Sequence, residues 1–274
     1  MLAKSITSTR IKYPTICEGV CKNQAIDLHQ KPTKQVVKVG AIVLSPGYGV
    51  FDPRLRGDYG YGKYANVVTS LDFERLLCAT GPHEGEILRP SDHKHPHKIA
   101  WIHCVGSRQI LEGAHSYCSS VCCSYIQKQV ILAKDHDADT EAVVFHNDIR
   151  SFGKDFERFY RRAESLSGVN FVRSYVSIGG EIPETGNVTI RYATDADGVK
   201  EEEFDLVVLG VGLGPPADVE HLAGQFGIEI LLEPHGILTD TVDGMTRILD
   251  ALGHEDTVQT RAFDVHAVHL EPKH

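Results

Sequence analysis

From residue 98 onward, short apolar runs alternate with amphipathic stretches, an order that few folds accept. Residues 98–103, 142–145 and 169–173 are rich in β-branched and aromatic side chains, whereas 117–136 and 154–165 carry helical spacing. Strand, helix, strand, helix, strand predicts a parallel sheet, because parallel neighbours need a long crossover and a helix supplies it. Residues 175–180 and 188–193 flank Pro183-Glu184-Thr185-Gly186-Asn187 and predict a β-hairpin, and 204–209 returns as a further apolar strand. The expected fold class is α/β, with a three-layered nucleotide-binding-like module.

Outside that block the pattern is less regular. Residues 36–45 form a β-branched run ended by Pro46-Gly47, which predicts a buried strand closing in a tight turn. Residues 69–79 predict a short helix, with a Thr or Ser cap, apolar positions Leu71, Phe73, Leu76 and Leu77, and a stop at Thr80-Gly81-Pro82. The polar, histidine-rich stretch 82–98 reads as a surface loop and a boundary. Residues 217–225 predict a helix and 228–232 a last strand. The charge of −9 and pI near 5.9 argue against a phosphate backbone as partner, so no nucleic acid is expected. No apolar run approaches the ~20 residues that span a bilayer, and the start MLAKSITSTRIKYPT lacks a secretory signal's apolar stretch. The expected compartment is the cytoplasm. Its thiols stay reduced, so the 7 cysteines read as metal ligands or redox groups before disulfides.

Cys104 closes the first strand of the alternating block, and Cys118, Cys122 and Cys123 fall in the first turns of the predicted helix. On that helix Cys118 and Cys122 share a face and Cys123 is offset by about 100°, so the set can surround an object larger than one ion. A 4Fe-4S cluster, held by four thiolates, fits that description. Three other readings stand beside it: a tetrahedral zinc site in a non-redox scaffold, a vicinal pair Cys122-Cys123 doing thiol–disulfide chemistry, and a set of buried apolar thiols. Cys104-Val105-Gly106-Ser107-Arg108 keeps one glycine where a dinucleotide loop needs several, so a nicotinamide nucleotide is not expected there. His103, Ser119 and Ser120 are placed to contact sulfur. Cys78 reads as a packed thiol, and His83, His93, His95 and His97 as part of an exposed segment.

The segments KIAWIHCVGSR, YCSSVCCSYIQKQ, GYGKYANVVTSLDFERLL and EEEFDLVVLGVGL resemble the A subunit of the heterodisulfide reductase family, an FAD and iron–sulfur protein. They occur in the family's order and spacing, and the likeness runs from about Thr15 to Asp240. It implies a partial thioredoxin-reductase-like flavin domain with an inserted nucleotide-binding-like parallel-sheet domain and a β-hairpin. It also implies a 4Fe-4S cluster on Cys104, Cys118, Cys122 and Cys123, and places Glu74 and Lys128 beside a flavin ring, where a lysine can stabilise the anionic reduced flavin. The segments expected on this basis are 1–35, a remnant ferredoxin-like stretch; 36–97, a partial flavin-type domain; 98–203, the insert with the cysteines; 204–240, a return to the flavin-type domain; and 241–274, a divergent tail. Family members pass electrons among a flavin, clusters and partner subunits, so this chain is expected to be an electron-transfer subunit of such a complex.

The chain also departs from the family. No G-x-G-x-x-G loop precedes Val36, so FAD is expected to be held weakly or not at all by this chain alone, and a partner chain supplying the missing flavin segment is one way to complete the site. Gly47-Tyr48-Gly49 resembles the family's second flavin-side loop, with Gly47 as the flavin contact. Gly210-Val211-Gly212-Leu213-Gly214-Pro215 has its third glycine one place early and reads as a structural crossover. Cys17 and Cys21 resemble the tail of a ferredoxin cluster motif, with Lys22 in place of the usual proline.

Overall fold

The computed structural model describes residues 18–29, 31–32, 36, 45–111, 113–194 and 198–226. The expected strand at 228–232, the tail from 241, Cys17 and all but the ends of the expected strand at 36–45 lie outside the described residues. The chain divides into two compact units, Met1–Leu44 with His266–His274 and Ser45–Val265. The fold below is that of the second.

In chain order its elements begin with β1 (Gly49–Val50), β2 (Val67–Thr69), α1 (Ser70–Leu77), β3 (Lys98–Val105), α2 (Cys122–His136), β4 (Glu141–His146), α3 (Phe156–Glu164) and β5 (Val169–Arg173). They continue with β6 (Val176–Glu181), β7 (Val188–Thr194), β8 (Gly198–Phe204), β9 (Leu206–Val211), β10 (Leu213–Gly214) and α4 (Val219–Phe226). The expected α/β class is what forms. A five-stranded sheet in the order β2-β9-β3-β4-β5 is parallel throughout, and β6-β7-β8 make a separate antiparallel sheet.

Burial explains why β3 and β9 read as unbroken apolar runs: a sheet covered on both faces leaves no solvent side to alternate with. Ile99 and Trp101 join Phe73 and Leu76 of α1 and Ile126, Val130 and Ala133 of α2 in one core. Ala100 and Ile102, one step out of phase, pack with Val188, Ile190, Tyr192 and Phe204 of the antiparallel sheet in a second core. The result is three layers, helices on one face of the parallel sheet and the antiparallel sheet on the other. The central sheet takes β2 and β9 from either side of residues 98–203 in the sequence.

Helix α1 forms where its signals predict. Thr69 caps it through a box in which the Thr69 hydroxyl accepts from the Asp72 N–H and the Asp72 carboxylate accepts from the Thr69 N–H. The stretch 82–98 is irregular but not free: Ile87 and Arg89 are buried, and Arg89 donates to Thr185 O at 2.5 Å, fastening the stretch to the hairpin turn. Asn66 reinforces that tie, donating to Ser91 Oγ at 2.9 Å and to Gly186 O at 2.8 Å.

Two boundaries differ from expectation. The run expected at 204–209 divides at Asp205, whose carboxylate accepts from the His97 and Lys98 N–H groups at 2.7 and 2.8 Å, so Phe204 ends β8 and β9 begins after the turn. The helix expected from residue 117 begins only at Cys122, without a side-chain cap, because the preceding segment is tied to other loops. Among the described residues no helix is long and apolar enough to cross a membrane.

Strand order reverses direction of growth between β3 and β9, since α2 and α3 carry the chain from β3 to β4 and β5, while β9 lies on the other side. In open α/β sheets that switch point, at the carboxyl ends of the strands, is where ligands bind. Cys104 lies there.

Candidate metal centre

Cys104 occupies an irregular end of β3, where the register with β9 shifts between Ile102 and Val105. Its φ is +59°, a left-handed conformation costing on the order of 1–3 kcal/mol for a residue with a side chain. At Gly106, φ is +79° and a Cβ would lie 2.0 Å from the Phe51 ring, so only glycine lets the chain turn there. The loop then folds back on itself: the His115 N–H donates to Gly106 O at 2.9 Å, and the Arg108 N–H to Tyr117 O at 3.0 Å. This pairing returns Cys118 to the level of Cys104.

The next step is fixed by hydroxyls. Ser107 and Ser119, both buried, share a 2.6 Å hydrogen bond, and Ser119 Oγ accepts from the Leu213 N–H at 2.8 Å. Gly212 admits this arrangement, since a Cβ there would stand 2.3 Å from Ser107 Oγ. Cys122 and Cys123 then open the first turn of α2. Cys118 is therefore not one helical turn from Cys122 on a shared face, as the sequence suggests, but in the loop before the helix.

The structure thus gathers the four cysteines from three places: a strand end, a loop and a helix N-terminus. Cys104, Cys122 and Cys123 are buried, Cys118 half-buried, and all four are free thiols. Burial pushes the Cys122 thiol up to about 11, and the nearby Cys104 and Cys118 add to the rise. Burial likewise pushes Cys123 up to about 12, with Cys104, Cys122 and Cys118 all contributing. Other cysteines of the set contribute to the rise at Cys104, Cys122 and Cys123, so the four share one neighbourhood. Thiols held this far above neutrality are poor nucleophiles, which works against a free Cys122-Cys123 redox pair.

Hydrogen-bond donors converge on the sulfurs. The Arg150 N–H donates to Cys123 Sγ at 3.3 Å and the Ser120 N–H to Cys118 Sγ at 3.4 Å. His103 Nδ1 lies 3.6 Å from Cys123 Sγ. Its imidazole is fully buried and held neutral: burial, then the neighbouring His146, lowers its pKa to about 3. Its Nε2 has no hydrogen-bond partner. A neutral ring in that setting spends its single N–H best on a sulfur anion at Nδ1.

Among the described residues, no three His, Cys, Asp or Glu side chains stand close enough to hold one metal ion. Four thiolates on a zinc ion, at about 2.3 Å each, would need sulfurs under ~4 Å apart. A cubane spreads its thiolates more widely. In kind, the residues fit such a cluster: four thiols, backbone N–H groups aimed at sulfur, and a helix N-terminus whose dipole favours negative charge.

No protein-family model matches the chain. Among curated proteins it is 44% identical over 226 residues to the iron-sulfur A subunit of the CoB--CoM heterodisulfide reductase of Methanocaldococcus jannaschii, a match that covers 82% of this chain and 34% of that protein. It is 41% identical over 226 residues to the A subunit of the H(2):CoB-CoM heterodisulfide,ferredoxin reductase of Methanothermobacter marburgensis, covering 80% and 34% respectively. The chain belongs to the heterodisulfide reductase A-subunit family. A third relative, from the ferredoxin/F(420)H(2)-dependent CoB-CoM heterodisulfide reductase of Methanosarcina acetivorans, is 37% identical over 216 residues, covering 78% of this chain and 27% of its own. The chain spans about a third of the length of the first two relatives.

Two residues that the family resemblance places beside a flavin do meet. Lys128 of α2 donates to Glu74 of α1, and Gln129 Nε2 also reaches Glu74 at 3.2 Å. The pair is partly open, with 46% and 36% of the two side chains exposed. Gly47 stands in an exposed turn at φ +79° with nothing within 4 Å of a Cβ position. Gly214, in the run that follows β9, pairs with Gly49 across β10 and β1, as befits a structural crossover. Cys21 Sγ accepts from the Ala25 N–H at 3.4 Å, and His83 and His93 stack edge to face outside any metal group.

Sequence reasoning missed Arg108, Asp148 and Arg150. Arg108 pairs with Asp148, and its side chain counters the burial that raises the Cys104 thiol. Arg150 Nε reaches the same carboxylate at 3.2 Å.

Proposed function

We propose that Cys104, Cys118, Cys122 and Cys123 hold a 4Fe-4S cluster, and that the chain is an electron-transfer part of a heterodisulfide reductase-like complex. Four free cysteines at the switch point of the sheet, three of them buried, with N–H donors on the Cys118 and Cys123 sulfurs, carry this reading. When bound, such a cluster takes up and releases single electrons. The residues around it have no proton to move: His103 stays neutral, the N–H groups of Ser120 and Arg150 stabilise charge on sulfur, and burial keeps water away. Hydrogen bonding and burial of this kind set a cluster's potential.

The same reading makes Glu74 and Lys128 neighbours of a flavin, with Gly47 in its outer loop, when FAD is completed by a further segment or chain. It keeps 98–203 as the insert that carries the cysteines and the cytoplasm as the compartment. Partners are the other redox subunits, the relatives being named as A subunits. Anaerobic purification tests it: a brown protein whose broad visible absorbance is bleached by dithionite supports the reading. A colourless protein carrying one zinc favours a scaffold and overturns it.

A further inference from the structure

After β4 the chain runs through irregular residues 147–152 before α3 begins. Nothing in their sequence sets their path, yet the Arg150 N–H of this stretch is aimed at the Cys123 sulfur. Two anchors fix its ends: Arg173 Nε donates to Asn147 O at 3.0 Å, and Gln127 Nε2 of α2 to Ser151 Oγ at 2.8 Å. Between them, Asp148 reaches across to the other loop of the site. Its Oδ1 takes the Arg108 guanidinium and its Oδ2 the Arg150 guanidinium.

Arg108 is not a neutral bystander on that second loop. Its φ is +58°, a conformation that side-chain-bearing residues adopt only when their surroundings hold them. Its own N–H makes the bond to Tyr117 O, next to Cys118, at 3.0 Å. Gln109, next to it, donates to Cys104 O at 3.1 Å. A carboxylate that grips Arg108 and Arg150 therefore fastens the Cys104–Cys118 loop to the loop above Cys123.

We infer that Asp148 is a positioning residue for the thiol site, clamping Arg108, beside Cys104, to Arg150, whose backbone N–H donates to the Cys123 sulfur. The inference rests on the four cysteines being the cluster ligands, but the clamp itself is a property of the two loops. Asp148 lines an open cleft of about 300 Å³ with His146, Arg173 and Tyr175, and is itself partly exposed. A simple surface charge there would behave differently. Removing a negative charge beside an anionic cluster would, by electrostatics alone, make the cluster harder to lose.

For Asp148→Asn the clamp predicts the opposite sign. In the full chain reconstituted with iron and sulfide, Asp148→Asn and Arg150→Met should lose iron to a chelator about 10-fold faster than the wild type, and Asp148→Glu should restore most of the resistance. In the chain as purified, hydrogen exchange at the Arg150 amide should speed up in Asp148→Asn. Unchanged or slower iron loss in Asp148→Asn, or an Arg150 amide as protected as before, overturns the clamp. If the wild type takes up no iron, the cluster reading fails by itself, and amide exchange alone decides whether Asp148 clamps the loops.

Discussion

Ser119 is where three parts of the chain meet: its hydroxyl joins Ser107 of the loop after β3 and accepts from Leu213 beyond β9. Both serines are buried, so Ser119→Ala strands a backbone N–H and a hydroxyl at once. The expected loss is about 1–3 kcal/mol of stability, read from the midpoint of urea unfolding. Each cysteine makes a sharper prediction. Cys104→Ser, removing one of the four proposed ligands, should leave the reconstituted chain without the full iron complement of the wild type, measured by iron analysis. At this scale the sequence was partly legible. The sulfur contacts of His103 and Ser120 were readable because both residues sit beside cysteines in the sequence, whereas Ser119, expected to contact sulfur as well, instead bonds to Ser107 and Leu213. Asp148 and Arg150 were not readable, because their approach depends on the register of β4 against β3, which no local pattern encodes.

Elements show the same division between local and distant causes. Helix α1 obeys its own residues, and Thr69→Ala should cost about 1 kcal/mol by removing the cap, seen as a lowered thermal midpoint. Helix α2 does not: it starts at Cys122 without a side-chain cap, after a segment that Ser119 ties to Leu213, far along the chain. Hence the alternation of strands and helices was legible from residue 98, while the first turn of the helix that matters most to the site was misplaced. Gly212, in the run read as a structural crossover, is closely packed. Gly212→Ala would drive a methyl group to 2.3 Å from Ser107 Oγ. The expected cost is about 1–3 kcal/mol, by overpacking, with the thiol site loosened alongside.

For the molecule as a whole, the parallel sheet sealed between helices and an antiparallel sheet gives the thiols a dry, fixed floor at its switch point. Its rigidity depends in part on Arg89, which reaches the hairpin turn and Asp205 from the stretch 82–98. Arg89→Met keeps the bulk but strands Thr185 O and removes a cation from beside Asp205, and should cost about 1–3 kcal/mol in chemical unfolding. The fold class followed from the pattern of elements, but which segments share the sheet did not, since β2 and β9 join it from distant parts of the sequence. All of this serves the thiol site, and iron and acid-labile sulfide counted per chain after anaerobic reconstitution test it most directly. About four of each, bound through gel filtration, is the result this structure predicts; a chain that retains no iron and sulfide, or takes one zinc in their place, would contradict it.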